Sequence, residues 1–211
     1  MSGVKFENSN SNLNNNQAEV ILRKARPRDI AAMQALVAPE VAAGVILPRA
    51  DDVVATNIRS YTLAFSVGPK LNSEETENLV RIAGQSREAR GCGAVSPDRK
   101  DGLCSSAESN LIGYCALHIH TAALAEVRSL IVSPSHRGQG VGGALVRALL
   151  DEARELGLKQ VFALTYQDKF FEKLGFKQIP KTDLPAQKIW SDCVKCKHFP
   201  TCNEIALIYP L

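Results

Sequence analysis

The chain has 211 residues, 45% of them hydrophobic and 22% charged, with a formal net charge of +3. This is the composition of a globular domain with a sizeable core; no apolar run reaches membrane-spanning length, and so small a charge gives no argument for nucleic acid. The N-terminus lacks the charged and apolar stretches of a signal peptide, so a cytoplasmic protein is expected, and the six cysteines (Cys92, Cys104, Cys115, Cys193, Cys196, Cys202) read as free thiols or metal ligands, not as a disulfide framework.

Residues 1–18 are polar, asparagine-rich and without periodicity, and read as a disordered tail. Residues 20–24 predict a first strand. Pro27 suits a helix start, and Ile30, Met33, Leu36 and Val37 then recur at helical spacing. Asp51 is placed to cap a second helix running to about residue 60, and residues 61–67 read as a strand. From about 71 to 110 the chain turns rich in Ser, Gly, Glu and Arg, which predicts an exposed insertion within a single domain spanning 19–211. Residues 111–118 and 124–132 read as a hairpin. A helix over 140–156 would bury Val141, Leu145, Ala148, Leu149, Ala153 and Leu156 and leave Arg147, Asp151, Arg154 and Glu155 wet. Strands at 161–164, 176–179 and 205–209, a short helix at 169–174 and a cysteine-containing segment at 190–203 complete an α/β sandwich around a mixed sheet.

The most informative stretch joins strand to helix. Arg137-Gly-Gln-Gly140-Val-Gly142-Gly143 follows a predicted strand and opens an amphipathic helix, so several backbone N–H groups and the positive end of the helix face one place. Such a place binds an anion, most often a phosphate. The spacing fits neither a Walker loop nor the dinucleotide fingerprint.

It does match the R-x-x-G-x-G of the GCN5-related N-acetyltransferases, which the chain resembles also in Val132-Ser-Pro134 and in Phe171-Glu-Lys-Leu-Gly-Phe176. The resemblance covers about residues 20–67 and 111–211. A narrower likeness, to short-form amino-acid N-acetyltransferases that make N-acetylglutamate, rests on Glu126-Val-Arg-Ser-Leu130, Leu47-Pro-Arg49, Phe162-Ala-Leu-Thr-Tyr166, Leu184-Pro185, Lys188-Ile-Trp190 and Asp192-Cys-x-x-Cys-x-x-Phe199. The resemblance implies a mixed sheet with a splayed strand pair, and acetyl-CoA as co-substrate. Its pyrophosphate would lie on Arg137, Gly138, Gln139, Gly140, Val141, Gly142 and Gly143, and its acetyl carbonyl and pantetheine arm on the backbone of Leu130, Ile131 and Val132.

Acetyl transfer to an amine needs a base, a polarised carbonyl and a proton for the leaving thiolate. Glu126, on the strand entering the glycine turn, is the candidate base; the alternative is an exposed strand glutamate. Where many family members carry a tyrosine, four residues before the glycine of the second motif, this chain has Phe171. Tyr166 is therefore the candidate acid, with a core tyrosine whose hydroxyl reaches the rim, or a water, as alternatives. An acceptor with two carboxylates, as glutamate has, needs fixed cations, and Arg49, Arg128 and Lys188 are nominated; each could instead be a surface charge or a salt-bridge partner. Cys193-x-x-Cys196, with His198 and Cys202, could bind zinc, but the spacing is compressed and packed thiols are the plainer reading. His118 and His120 share a strand face and read as structural.

The expected function is thus transfer of acetyl from acetyl-CoA to the α-amine of L-glutamate, as in the first step of arginine biosynthesis, with no metal, nucleic-acid or membrane partner and with a homodimer open. Acetylation of a protein or peptide, an acetyl-CoA sensor without catalysis, and a zinc-dependent interaction module are the alternatives.

Overall fold

The computed structural model describes residues 19–67, 110–196, 198 and 201–211. The asparagine-rich tail, and the proposed insertion up to residue 109 with Cys92 and Cys104, lie outside the described residues.

Seven strands form one mixed sheet. In chain order they are β1 (Glu19–Lys24), β2 (Tyr61–Val67), β3 (Asn110–Ile119), β4 (Leu124–Val132), β5 (Gln160–Thr165), β6 (Lys177–Ile179) and β7 (Ile205–Pro210); their spatial order is β1-β2-β3-β4-β5-β7-β6. The pairings are antiparallel except β4 with β5, which is parallel. Helices α1 (Ile30–Ala42) and α2 (Asp51–Thr56) cover one face, and α3 (Val141–Glu155) covers the other. Short helices α4 (Asp168–Glu172) and α5 (Ala186–Ser191) follow β5 and β6.

The α1 start fits its sequence: Pro27 opens a 3-10 turn, and the Asp29 carboxylate accepts the Arg26 N–H at 2.7 Å and both guanidinium N–H groups of Arg23 at 2.7 and 2.8 Å. The α2 start does not. Ala50, not Asp51, occupies the cap position, and Asp51 sits in the first turn, where its charge meets the positive end of the helix; a separate 3-10 turn covers Ile58–Ser60. On α3, Val141, Leu145, Val146, Leu149, Leu150 and Ala153 are buried against β2, β3 and β4. Leu156, expected in that stripe, is exposed, because the helix ends one residue earlier and the chain turns away through Gly157.

Two irregularities position the site. The parallel pairing of β4 with β5 stops at Glu126–Phe162, so among the described residues β4 runs on from Val127 to Val132 with no partner on that side. Within the same stretch Cys115 of β3 faces both Ser129 and Leu130, a β-bulge, and Ser129 takes a positive φ of 55°, the one non-glycine residue to do so among the described residues. The extra residue reverses the alternation of the strand. Ala125 and Val127 face the α3 core before the bulge, Leu130 and Val132 after it, while Ile131 joins the core under α1. Gly113 is required opposite this bulge, because a Cβ there would come within 2.8 Å of the Ile131 carbonyl oxygen.

Candidate active site

A cavity of about 1070 Å³ lies where β4 and β5 part. One end of it is main chain. Ser133 N–H donates to the Ile112 carbonyl of β3, so by strand alternation the peptide groups of Leu130 and Val132 face the gap instead. The chain then crosses Gly138 and Gly140, with φ of 77° and 84°. At neither would a Cβ meet anything within 4 Å, so these glycines are required by their left-handed backbone and not by crowding. Gly140 caps α3 with no side-chain hydrogen bond, and the first helical bond is Ala144 N–H to Gly140 O. The N–H groups of Val141, Gly142 and Gly143 are therefore the open end of the helix, facing the cavity. Gly142 lies against the Phe170 ring, which a Cβ would approach to 3.4 Å. The side chains of this loop are turned to other work: Arg137 donates to Val132 O at 3.0 Å and pairs with Glu40 at 2.6 Å, and Gln139 donates to Ser135 O.

The other end is a network of charged side chains. Glu126 is only 2% exposed, which rules out an exposed strand glutamate. Its Oε1 pairs with Lys188 Nζ at 2.6 Å and its Oε2 lies 3.0 Å from His120 Nε2. Lys188 reaches from α5 to Asp192 at 3.0 Å. Arg128 meets the same Asp192 oxygen at 3.2 Å, and Arg49 meets the other at 3.5 Å. All three nominated cations thus converge on one carboxylate. None is a surface charge: Lys188 is buried, and the Arg128 and Arg49 side chains are 11% and 18% exposed.

Charge fixes the protonation states here. Burial alone would raise the Glu126 pKa, but the hydrogen bond with His120 and the Lys188 and Arg128 charges outweigh it and hold the carboxyl below its ordinary range. Asp192 is held low against burial by Lys188, Arg49 and Arg128. Burial pulls Lys188 down, and its two carboxylate partners more than restore it, above the ordinary lysine value. Both carboxylates are anionic and the lysine is cationic at neutral pH. His120 therefore donates its Nε2 proton to Glu126. Among the described residues its Nδ1 and the Arg49 Nε are buried with no hydrogen-bond partner.

Tyr166 follows β5 at the rim, 41% exposed, lining the cavity with Cys193, Cys196, His198, Cys202 and Glu204. Its phenol is raised above the ordinary value by desolvation first and by Glu204 and the thiols after it, so it is protonated at neutral pH and able to donate. Burial likewise raises the Cys193 and Cys202 thiols. No group of three or more His, Cys, Asp or Glu side chains placed to hold a metal occurs among the described residues. Phe171 is core, packed edge-on against Phe170 and Phe176.

The structure brings together Glu126, Arg128, Arg49 and Lys188 at one end and residues 130–132 with 137–143 at the other. It adds Asp192 and His120, to which the sequence reading gave no part in the site; His120, read as structural, touches the candidate base. The signal for Asp192 was its i, i+4 spacing from Lys188, which places both on one side of a helical turn.

Comparison with known proteins shows the family and the fold. A family model described as the acetyltransferase (GNAT) family matches residues 71–176. The match includes the glycine loop and ends at Phe176; it also crosses the stretch read from sequence as an insertion. An uncharacterized N-acetyltransferase of Chlorobaculum tepidum is 38% identical over 112 residues, 53% of this chain and 72% of the relative. An amino-acid acetyltransferase of Mycobacterium tuberculosis is 40% identical over 77 residues, 36% of this chain; the chain spans less than half of that relative, 44%. In fold, the chain is similar to N-acetylglutamate synthase from Neisseria gonorrhoeae complexed with coenzyme A and N-acetyl-glutamate, with a TM-score of 0.64 at 21% identity over 92% of this chain and 36% of that one. With the glycine loop, the splayed strand pair and these matches in hand, the chain belongs to the GNAT family of acetyltransferases.

Proposed function

We propose that the protein transfers acetyl from acetyl-CoA to the α-amine of a free acidic amino acid, L-glutamate before others, the reaction that opens arginine biosynthesis. The observation that carries this reading is the convergence of Arg49, Arg128 and Lys188 beside Glu126, at the end of the cavity away from the α3 N-terminus. The three cations bring guanidinium and ammonium donors to one place, which the two carboxylates of such an acceptor require. The relatives described as amino-acid acetyltransferases support the same acceptor class.

In this reading the pyrophosphate lies on the N–H groups of residues 141–143, fixed dipoles that need no reorganisation on binding. Leu130 and Val132 hold the pantetheine arm and polarise the acetyl carbonyl through their gap-facing peptides. The acceptor ammonium first loses a proton to solvent; the neutral amine then attacks the carbonyl carbon, and its nitrogen becomes strongly acidic once that bond forms. A carboxylate held at low pKa is a weak base toward a free ammonium but competent at that stage, so Glu126 accepts the proton directly or through one water. The C–S bond then breaks, and Tyr166 or water protonates the leaving thiolate.

The test is turnover of acetyl-CoA against a panel of free amino acids, with product identified by mass spectrometry. Saturable acetylation of glutamate, well above aspartate and lysine, is expected. No amino-acid product despite bound acetyl-CoA would sink this reading in favour of a protein acceptor or a sensor.

A further inference from the structure

Among the described residues, Asp192 is the carboxylate that all three acceptor-site cations share, whereas the base Glu126 is flanked by Lys188 and His120. It belongs to neither the strand that carries Arg128 nor the loop that carries Arg49, and it stands just past the end of α5. Its two oxygens are divided: Oδ1 takes Arg49 and Oδ2 takes Arg128 and Lys188. A guanidinium has five N–H donors in a rigid fork, and among the described residues each arginine has one ion pair, to this carboxylate, which leaves donors of each fork for another anion. The Arg49 Nε, buried without a hydrogen-bond partner, is the most direct sign of a donor awaiting one.

We propose that Asp192 is the positioning residue of the acceptor site: it pins the Arg49 and Arg128 forks to its two oxygens, fixing their separation and orientation so that they accept the carboxylates of an acidic amino acid. This rests on the proposed acceptor class. It makes Asp192 the residue that separates glutamate from glutamine, because two forks held in fixed positions distinguish a carboxylate from an amide, whereas loose positive charge only attracts anions in general.

Asp192→Asn keeps the shape and removes the charge. It also adds to the net positive charge of the site. If attraction at a distance governed binding, the glutamate KM would fall; if fork geometry governs it, the KM rises. We expect the glutamate KM to rise at least about tenfold, with kcat within about threefold and the acetyl-CoA KM unchanged, the pattern of lost ground-state binding. The preference for glutamate over glutamine should shrink by a similar factor, and Asp192→Glu should recover part of it. Unchanged or lower glutamate KM in a folded Asp192→Asn protein, with the preference intact, overturns the proposal. Should the parent protein acetylate no acidic amino acid, the acceptor reading fails separately, and the cradle is then tested by calorimetric titration with glutarate. Binding to the parent that weakens at least about tenfold in Asp192→Asn upholds the positioning role; no binding to the parent, or equal binding to both, overturns it.

Discussion

At the α3 end of the cavity the wall is main chain: gap-facing peptides of β4, two left-handed glycines and the open turn of a helix. At the α5 end it is side chain: two carboxylates and three cations from a loop, a strand and the end of a helix, all within ion-pair distance. The family match covers the main-chain end whole and the side-chain end in part. Residues 71–176 contain the whole main-chain end together with Glu126, Arg128 and Tyr166, while Arg49, Lys188 and Asp192 lie outside them. A main-chain site serves a co-substrate common to many enzymes, since peptide groups are the same in every sequence. A side-chain site can be changed one residue at a time, and the proposed acceptor site is of this kind.

The sharpest break in this comparison is Glu126→Gln, which should lower kcat by about 100- to 1000-fold, the usual worth of a general base, and leave acetyl-CoA affinity unchanged. A variant that turns over at the parent rate would remove Glu126 from the chemistry. Next comes Lys188→Met, which leaves Glu126 and Asp192 buried without their shared cation. It should cost about 3–5 kcal/mol of stability, read as a lower urea midpoint at neutral pH. The sign with pH follows from the shifts. Glu126 and Asp192 are held low, so what they contribute is present above ordinary carboxylate values and lost as the pH falls through their folded ones. Lys188 is held high, so its share is complete at neutral pH and lost only in alkali.

At the main-chain end, Gly140→Ala should cost about 1–2 kcal/mol, all of it backbone, because the new methyl meets open space. The acetyl-CoA KM should rise while the acceptor KM stays put; a change in both would mean the two ends are not independent. The effect confined to acid concerns His118, whose pKa burial, Arg128 and His120 push down to about 4. The unfolded chain takes up this proton first, so stability should fall as the pH drops from about 6.5 to about 4. The slope of urea midpoint against pH in that window should be shallower in His118→Gln, and an equal slope would place the titration elsewhere.

The strands, the α3 stripe and the glycine loop were legible because each depends on neighbours within a few residues: alternation, helical spacing and φ are local properties. Tyr61–Val67 and Leu124–Val132 stand where alternation put them. The α2 cap was misread because Asp51 and Asp52 both favour a helix start, and only the backbone angles show that Ala50 occupies the cap. The bulge at Ser129 left no sequence signal, since its cause is the register with β3 across the hairpin.

By itself, the sequence determined the mixed α/β sheet and the family, and it named the glycine turn, one glutamate and three cations as candidates for the site. Only the tertiary structure decided that Glu126 is buried and tied to Lys188 and His120, and that Arg49, Arg128 and Lys188 meet on Asp192. The physical reason is range. A backbone conformation is set by residues a few positions away, whereas an ion pair between Arg128 and Asp192 joins groups 64 residues apart, and its partners exist only once the sheet has brought them together.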